Sequence, residues 1–218
     1  MDSISSFNGI STGGTCPSTT SGIVSNARAF SASEKDVISV PADVDPADTA
    51  YDNMANGNFS VGLWVKTTQD CTDNKVFIGR YRTITANGNW WVGCTSPGVA
   101  VFRTRDSNDN IRQINGGIRI TDGLWHYIVG VRDKSNDKNY LYVDGRLDGM
   151  LDSPAFTGNF SSDDPITLGA YDEPRNYYLQ GSLDEIVTYN RVLIGGEISS
   201  EFTDCSPTRF TYLPIISK

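Results

Sequence analysis

The sequence predicts an all-β fold of antiparallel strands, and three observations lead to that prediction. Short runs rich in Val, Ile, Tyr, Phe and Trp recur along the chain, and clusters of Gly, Asn, Asp and Pro separate them. Apolar residues almost never recur at the spacing of an amphipathic helix. The 21 glycines and 9 prolines suit many strands joined by tight turns.

The strands follow from the apolar and aromatic runs in chain order. We expect them at residues 29–30, 37–40, 60–66, 76–81, 90–94, 99–104, 111–114, 126–133, 139–143, 166–170 and 181–189. The polar segments 106–110 and 133–139 are expected to be hairpin tips, since they lack the glycine and the final glutamate of an EF-hand calcium loop.

The end of the chain departs from the strand pattern. At most one short helix is expected, at residues 196–203, with Glu197 and Glu201 facing water. The apolar tail 210–216 is expected to pack as a last strand, and a docking segment is the alternative.

Length and charge limit the class of protein. Neither a linker nor a repeat divides the chain, so residues 1–218 are expected to form a single domain. The net charge of -8 and the absence of Lys and Arg clusters argue against a nucleic-acid partner. Each apolar run is shorter than the roughly 18 residues of a membrane span. The first residues lack the features of a signal peptide, so an exported form would have its signal removed.

Four cysteines permit three disulfide pairings. We favour Cys16–Cys205, which would join the terminal segments, and Cys71–Cys94, which would join neighbouring strands. No C-x-x-C pair is present and His126 is the only histidine, so a zinc site is not expected. Two bridges favour an oxidising compartment and a secreted or cell-surface protein, whereas free thiols in a cytosolic protein are the alternative.

Five segments in order resemble the laminin-G-like domains of secreted and cell-surface proteins. They are residues 59–66, 122–127 (Asp-Gly-Leu-Trp-His-Tyr), 141–145 (Leu-Tyr-Val-Asp-Gly), 165–169 and 181–193. The resemblance covers about residues 22–203. It implies a two-sheet antiparallel jelly-roll sandwich of the concanavalin A-like type, whose first and last strands lie side by side. That arrangement also suits the Cys16–Cys205 bridge.

The resemblance further implies a place for a structural calcium ion. Asp184 would provide a carboxylate there, and the loop around Ser33 would provide main-chain carbonyls. Such oxygen ligands suit Ca²⁺. The alternative is that Asp184 accepts hydrogen bonds from nearby backbone N–H groups without a metal.

The chain is not expected to be an enzyme. Related sandwich glycosidases carry Glu-x-Asp-x-x-Glu on one strand, and retaining hydrolysis needs two carboxyl groups about 5–5.5 Å apart. No such triplet occurs, and the adjacent Asp184 and Glu185 would point to opposite faces of a strand. His126 belongs to the Trp-His pair of the resembling motif, so we expect a structural role for it.

Aromatic residues provide the candidate ligand site. Sugar-binding surfaces stack rings on exposed Trp or Tyr. Trp90 and Trp91 are consecutive, so one must point away from the core unless both sheet faces are covered. Tyr177 and Tyr178 lie in a long polar connection, where binding residues concentrate. The candidate ligand-binding residues are Arg80, Tyr81, Trp90, Trp91, Tyr177 and Tyr178, with Arg103 and Tyr171 nearby. The alternative is that these aromatic residues belong to the core, as we expect for Trp64 and Trp125.

Three functions are compatible with these features. The favoured one is a secreted, non-catalytic carbohydrate-binding or adhesion module that binds a polysaccharide, a glycan or a cell-surface protein. The second is a structural or protein-interaction domain without a sugar site. The third is a polysaccharide-degrading enzyme whose acids come from distant strands.

Overall fold

A computed structural model describes residues 9–12, 14–40, 57–81, 88–152, 156–160, 162, 164–171 and 176–205, with the backbone alone at position 205. The strand expected at 210–216 lies outside these residues. In chain order the elements are β1 (Ile10–Ser11), β2 (Ser18–Ser21), β3 (Asn26–Phe30), β4 (Ile38–Val40), β5 (Phe59–Lys66), β6 (Lys75–Arg80), β7 (Asn89–Thr95), β8 (Val99–Arg105), β9 (Ile111–Arg119), β10 (Trp125–Asp133), β11 (Lys138–Val143), β12 (Arg146–Asp152), β13 (Ile166–Leu168), β14 (Gly181–Tyr189) and α1 (Gly195–Cys205).

The strands form two seven-stranded antiparallel sheets. The first sheet has the order β1-β4-β13-β6-β7-β8-β9, and the second has the order β12-β11-β10-β5-β14-β3-β2. The predicted jelly-roll sandwich is therefore confirmed. The segments 106–110 and 133–139 join antiparallel neighbours, so their prediction as hairpin tips is also confirmed.

Each strand predicted within the described residues is present, and the structure adds three that the sequence did not indicate. These are β1, β2 and β12. All three lie at sheet edges. Their side chains are mostly exposed, so they lack the apolar alternation that marks a half-buried strand.

The main core lies between the two sheets. It contains large side chains from both sheets, among them Phe59, Leu63, Trp90, Phe102 and Ile128. The ring of Phe59 lies 5.9 Å from that of Trp90, so the central strands of the two sheets are in direct contact.

A second apolar cluster lies on the other face of the second sheet, beneath α1. Trp64 is buried there with Tyr127 and Ile198. Phe202 stacks on Trp64 with 5.5 Å between ring centroids. Trp125 packs against the same cluster but keeps part of its surface exposed. The prediction that both tryptophans belong to the core therefore holds for Trp64, while Trp125 is only partly buried.

The helix α1 extends slightly beyond its predicted bounds, and one of its glutamates does not face water. Glu201 accepts hydrogen bonds from the hydroxyl groups of Tyr127 at 2.5 Å and Tyr189 at 2.8 Å. The expectation for Glu201 was wrong, because these tyrosines come from strands on which the helix packs. Glu197 accepts a hydrogen bond from the backbone N–H of Ile194 and pairs with Arg191.

The cysteines confirm one predicted bridge only. Cys71 and Cys94 form a disulfide in the main core. Cys16 is an exposed free thiol, so the predicted bridge to Cys205 is not formed in this structure. Cys16 precedes the edge strand β2, whereas position 205 ends α1, which packs over the middle of the second sheet.

Asp106 organises the turn between β8 and β9. Its buried carboxylate accepts hydrogen bonds from the backbone N–H groups of Asn108, Asn110, Thr157 and Gly158, and from the side chain of Asn110. Burial opposes its ionisation, but these donors outweigh burial and hold the pKa of Asp106 below its usual value. Asp106 therefore ties the hairpin to segment 156–160.

We expect Asp106→Ala to lower the free energy of unfolding by about 2–4 kcal/mol, because it leaves several buried N–H groups without an acceptor. Urea unfolding measures this change. Asp109→Asn is the matched control: Asp109 lies in the same turn and makes an exposed ion pair with Arg105, so its loss should cost less than about 1 kcal/mol. Equal losses for the two variants would contradict the role assigned to Asp106.

His126 joins two loops through two carboxylates. Its Nδ1 lies 2.8 Å from Asp144 Oδ2, and its Nε2 lies 3.1 Å from Asp122 Oδ1. Asp144 also accepts the backbone N–H of Tyr127. Burial lowers the pKa of His126, but the two carboxylates outweigh burial and raise the pKa above its ordinary value of 6.5.

Because the folded pKa of His126 is raised, its contribution to stability is complete below pH 6.5 and is lost as the pH rises through the folded pKa. We therefore expect the melting temperature to fall as the pH rises above 6.5 and through the folded pKa of His126. His126→Gln, which cannot titrate, should flatten the fall. Calorimetry at closely spaced pH values measures both curves, and parallel curves for wild type and variant would contradict this assignment.

Candidate binding face

The first sheet presents one face to the second sheet and the other, here called the outer face, away from it. Directly paired residues share a face of a sheet. Trp91 pairs with Gly79 on β6 and with Arg103 on β8, and Arg103 pairs with Gln113 on β9. Gly79, Trp91, Arg103 and Gln113 therefore form a row across the outer face.

Three tyrosines surround Trp91 on the outer face. The ring centroid of Tyr171 lies 5.8 Å from that of Trp91, 4.2 Å from that of Tyr81 and 5.0 Å from that of Tyr177. Tyr171 is buried, whereas Tyr81 and Tyr177 keep part of their surface exposed. We call Tyr81, Trp91, Tyr171 and Tyr177 the aromatic cluster.

Trp91 is fully buried, so its ring is not available to stack on a ligand, and its prediction as a ligand-binding residue is corrected. Gly79 and Gly93 leave room for it, since a Cβ on Gly79 would approach the Cβ of Trp91 to 2.7 Å. Tyr171 covers the indole from outside. Both faces of the first sheet are thus covered at β7, and Trp91 supports the tyrosines.

Two predicted ligand residues lie on the inner face instead. Trp90 is fully buried in the main core. Arg80 pairs with Trp90, so it shares that face, and it is only 1% exposed. Strand alternation separates Trp90 and Arg80 from the aromatic cluster. Assigning them to the ligand site was therefore wrong.

The segment that carries Tyr177 and Tyr178 is held against the first sheet by its backbone. The carbonyl of Tyr177 accepts the N–H of Val76 on β6. Tyr177 has a φ of 59°, in the left-handed region that non-glycine residues rarely adopt. The carbonyl of Tyr178 accepts a hydrogen bond from Gln69, and its half-buried ring is not part of the aromatic cluster.

Polar groups without partners lie beside the aromatic cluster. By alternation Asn89 shares the face of Trp91; it is 2% exposed, and neither amide atom has a hydrogen-bond partner among the described residues. The same holds for Nε of Arg103, while its guanidinium also contacts Tyr171. Buried polar groups are nearly always paired, so these unpaired atoms beside the aromatic cluster are unusual.

The sequence did not single out Asn89 and Gln113. The period of two from Trp91 would have placed Asn89 on the same face, but only strand pairing brings Gln113 into the row. Tyr171 and Arg103 were named as neighbours, and the structure brings both together with Trp91.

The residues expected to hold calcium are not brought together. Asp184 Oδ2 accepts the backbone N–H groups of Ile23 at 2.7 Å and Val24 at 3.2 Å, beside the β2–β3 turn. Ser33 lies in the loop at the other end of β3, since Phe30 pairs with Gly181. Burial raises the pKa of Asp184, and the two backbone hydrogen bonds oppose that rise.

The carboxylate of Asp184 thus accepts hydrogen bonds from nearby backbone N–H groups, as the alternative without a metal predicts. Among the described residues, no group of three or more His, Cys, Asp or Glu side chains converges on a metal position. Calcium binding remains a prediction about Asp184 alone.

Comparison with known proteins identifies the family. Residues 41–199 match a laminin-G family model described as the concanavalin A-like lectin/glucanases superfamily, and the chain belongs to this family. A non-toxic nonhemagglutinin type E from Clostridium botulinum is 26% identical over 145 residues, which are 66% of this chain and 12% of that protein.

Solved structures share the fold at low sequence identity. The binding domain of Paraclostridial Mosquitocidal Protein 1 has a TM-score of 0.69 at 17% identity, over 90% of this chain and 47% of that chain. Domain 4 of AbnA, an arabinanase from Geobacillus stearothermophilus solved with arabinotriose, has a TM-score of 0.66 at 18% identity, over 91% and 90%.

The binding domain of botulinum neurotoxin DC, solved with SialylT, has a TM-score of 0.67 at 15% identity, over 93% of this chain and 48% of that one. In the part of our chain that the structure describes, no helix has the length and apolar character needed to cross a membrane.

Calcium at Asp184 can be tested by chelation. If Asp184 holds Ca²⁺, EDTA lowers the melting temperature of the wild type by a few degrees, about the effect of a ligand that stabilises the fold by 1 kcal/mol. Asp184→Asn should abolish that difference, while Asp152→Asn, at an exposed position on β12, should keep it. Identical wild-type curves with and without EDTA would remove the calcium site.

Proposed function

We propose that the chain is a secreted, non-catalytic carbohydrate-binding module whose ligand lies on the outer face of the first sheet. The observation that carries this proposal is the aromatic cluster with unpaired polar groups beside it. Sugar sites combine ring stacking with a few convergent hydrogen-bonding groups. Both requirements occur here within one small part of a rigid sheet.

Two tyrosines provide the accessible stacking surface. Tyr81 and Tyr177 are both partly exposed, and each packs against the buried Tyr171. A sugar ring would lie on these two rings, with Tyr171 and Trp91 as their rigid support. Tyrosine loses little conformational entropy on binding, because it has only two side-chain torsions.

The hydrogen-bonding groups come from three strands. Arg103 on β8 contacts Tyr171, the exposed Gln113 lies next to Arg103 on β9, and Asn89 begins β7. Guanidinium and amide groups together supply donors and acceptors for sugar hydroxyl groups. The strained φ of Tyr177 supports a binding role, since such conformations cluster at ligand sites.

A non-catalytic role is supported by the composition of the first sheet. Glycoside hydrolysis uses a pair of carboxyl groups. None of the seven strands of this sheet contains Asp or Glu. The outer face therefore offers binding groups and no strand-borne acid.

Secretion is supported by the Cys71–Cys94 disulfide, since such bonds persist in oxidising compartments. The glycan ligand is supported by two structural relatives that were solved in complexes, the arabinanase domain with arabinotriose and the neurotoxin domain with SialylT. The chain spans 12% of the length of its curated relative and about half of each toxin binding domain. What those larger proteins do is therefore not carried over to this chain.

A protein-binding role is the second candidate, and one surface favours it. On the edge pair β11–β12, Leu147 is 54% exposed and Met150 is 51% exposed. They pair with the partly exposed Tyr142 and Tyr140. An apolar surface on an edge strand is typical of a contact with another protein.

A glycan array, followed by calorimetric titration of each hit, tests the sugar site. We expect Tyr177→Gly and Tyr81→Ala to weaken binding at least tenfold, or about 1.4 kcal/mol. Glycine prefers the φ of Tyr177, so Tyr177→Gly removes the ring without imposing backbone strain. Trp91→Ala is unsuitable, because the cavity it leaves would destabilise the sheet.

Tyr140→Ala, on the edge surface of the second sheet, is the matched control and should bind glycans as the wild type does. An array without a response, together with capture of a protein partner that Tyr140→Ala abolishes, would overturn the sugar site in favour of the protein-binding role. Release of reducing sugar by the wild type would overturn the non-catalytic role.

A further inference from the structure

The first sheet collects positive charge in an acidic protein. The chain has a net charge of -8. The strands of the first sheet nevertheless contain no Asp or Glu, and their cationic residues are Lys75, Arg80, Arg103, Arg105, Arg112 and Arg119. A negative ligand would therefore meet no repelling carboxylate on the strands of this sheet.

Most of the arginines already have partners within the protein. Arg105 pairs with Asp109. Arg112 lies 5.9 Å from the ring of Phe156, and Nε of Arg119 donates to the hydroxyl of Thr121. Arg80 is enclosed in the main core. These side chains already contact other groups of the protein, so they are poorer candidates for a ligand contact.

Arg103 differs from these arginines in position and in contacts. It lies in the centre of the outer face, between Trp91 and Gln113. Its side chain is half-buried, and its Nε has no hydrogen-bond partner among the described residues. None of the carboxylates in the described part of the chain forms an ion pair with it.

A half-buried guanidinium without a counter-charge has lost part of its hydration and gained no ion pair. Tyr171 holds the group on one side. The planar fork of Arg matches the two oxygens of a carboxylate, and a charge-assisted pair of this kind is stronger than a hydrogen bond to a neutral hydroxyl. The missing partner of Arg103 is thus best supplied by a carboxylate.

We propose that the outer face selects sugars that carry a carboxylate, with the acid group paired to Arg103 and the ring stacked on Tyr81 and Tyr177. This inference rests on the sugar site proposed above and names its ligand class. Uronic acids and sialic acids share the chemistry. Nucleic acid fits less well, because its binding requires many phosphate contacts, and among the described residues Arg103 is the one arginine at the centre of the outer face without an ion pair.

Two matched ligand pairs test the selectivity and separate the two sources of carboxylate. The first pair is oligogalacturonate and its methyl ester, and the second is sialyllactose and lactose. Each pair differs in the acid group, by esterification in one case and by the acidic sugar in the other. In calorimetric titrations we expect the acidic member of at least one pair to bind tenfold or more tightly than its neutral partner.

Arg103→Gln should reduce this preference to less than twofold, because it weakens binding of the acidic ligand much more than binding of the neutral one. Arg105→Gln is the control, since Arg105 lies on the same face but is paired with Asp109, and it should keep the preference. Raising the salt concentration should weaken the acidic ligand alone.

The outcomes separate the inference from the proposed function. Equal affinity for acidic and neutral members, with loss of both in Tyr177→Gly, would overturn the carboxylate preference and leave the sugar site intact. A preference that persists in Arg103→Gln would also overturn the inference. Binding of none of the ligands at millimolar concentration, with a silent array, would overturn both.

Discussion

Two consecutive tryptophans on β7 set the main constraint on this protein. Neighbouring residues of a strand point to opposite faces, so burying both indoles requires cover on both faces of the first sheet. The second sheet covers Trp90 from inside, and Tyr171 and Tyr177 cover Trp91 from outside. The long connection before β14 is therefore part of the packing of the sheet. The candidate ligand surface is the outer layer of that packing.

This constraint explains why the site is rigid where it touches the sheet and open at its rim. Trp91 and Tyr171 are buried, and burial raises the pKa of the Tyr171 hydroxyl. Tyr81 and Tyr177 lie farther out and keep exposed surface. Binding surfaces gain affinity when their aromatic groups are held in place before the ligand arrives. The buried pair supplies that support.

Several acidic residues stabilise the fold by accepting hydrogen bonds from backbone N–H groups. Asp106 accepts hydrogen bonds from two chain segments, Asp148 accepts the N–H groups of Gly117 and Ile118 at the edge of β9, and Asp184 accepts those at the β2–β3 turn. The strands of the first sheet contain no carboxylates, whereas turns and sheet edges contain several. Arg103 is therefore a positive charge at the centre of the outer face. The fold and the proposed ligand preference thus depend on the same distribution of charge.

The sequence by itself determined the all-β class, the central strands and the short helix, because a period of two and turn residues are local signals. It left three disulfide pairings open, and the structure forms Cys71–Cys94 alone of the two favoured bridges. It also predicted Tyr81, Trp91 and Tyr177 as residues of one candidate site. Only the tertiary structure decided that Trp90 and Arg80 lie inside, that Cys16 stays free, and that Arg103 lies between Trp91 and Gln113. Those relations depend on strand register and on which face is covered, and both arise from contacts between residues far apart in the chain.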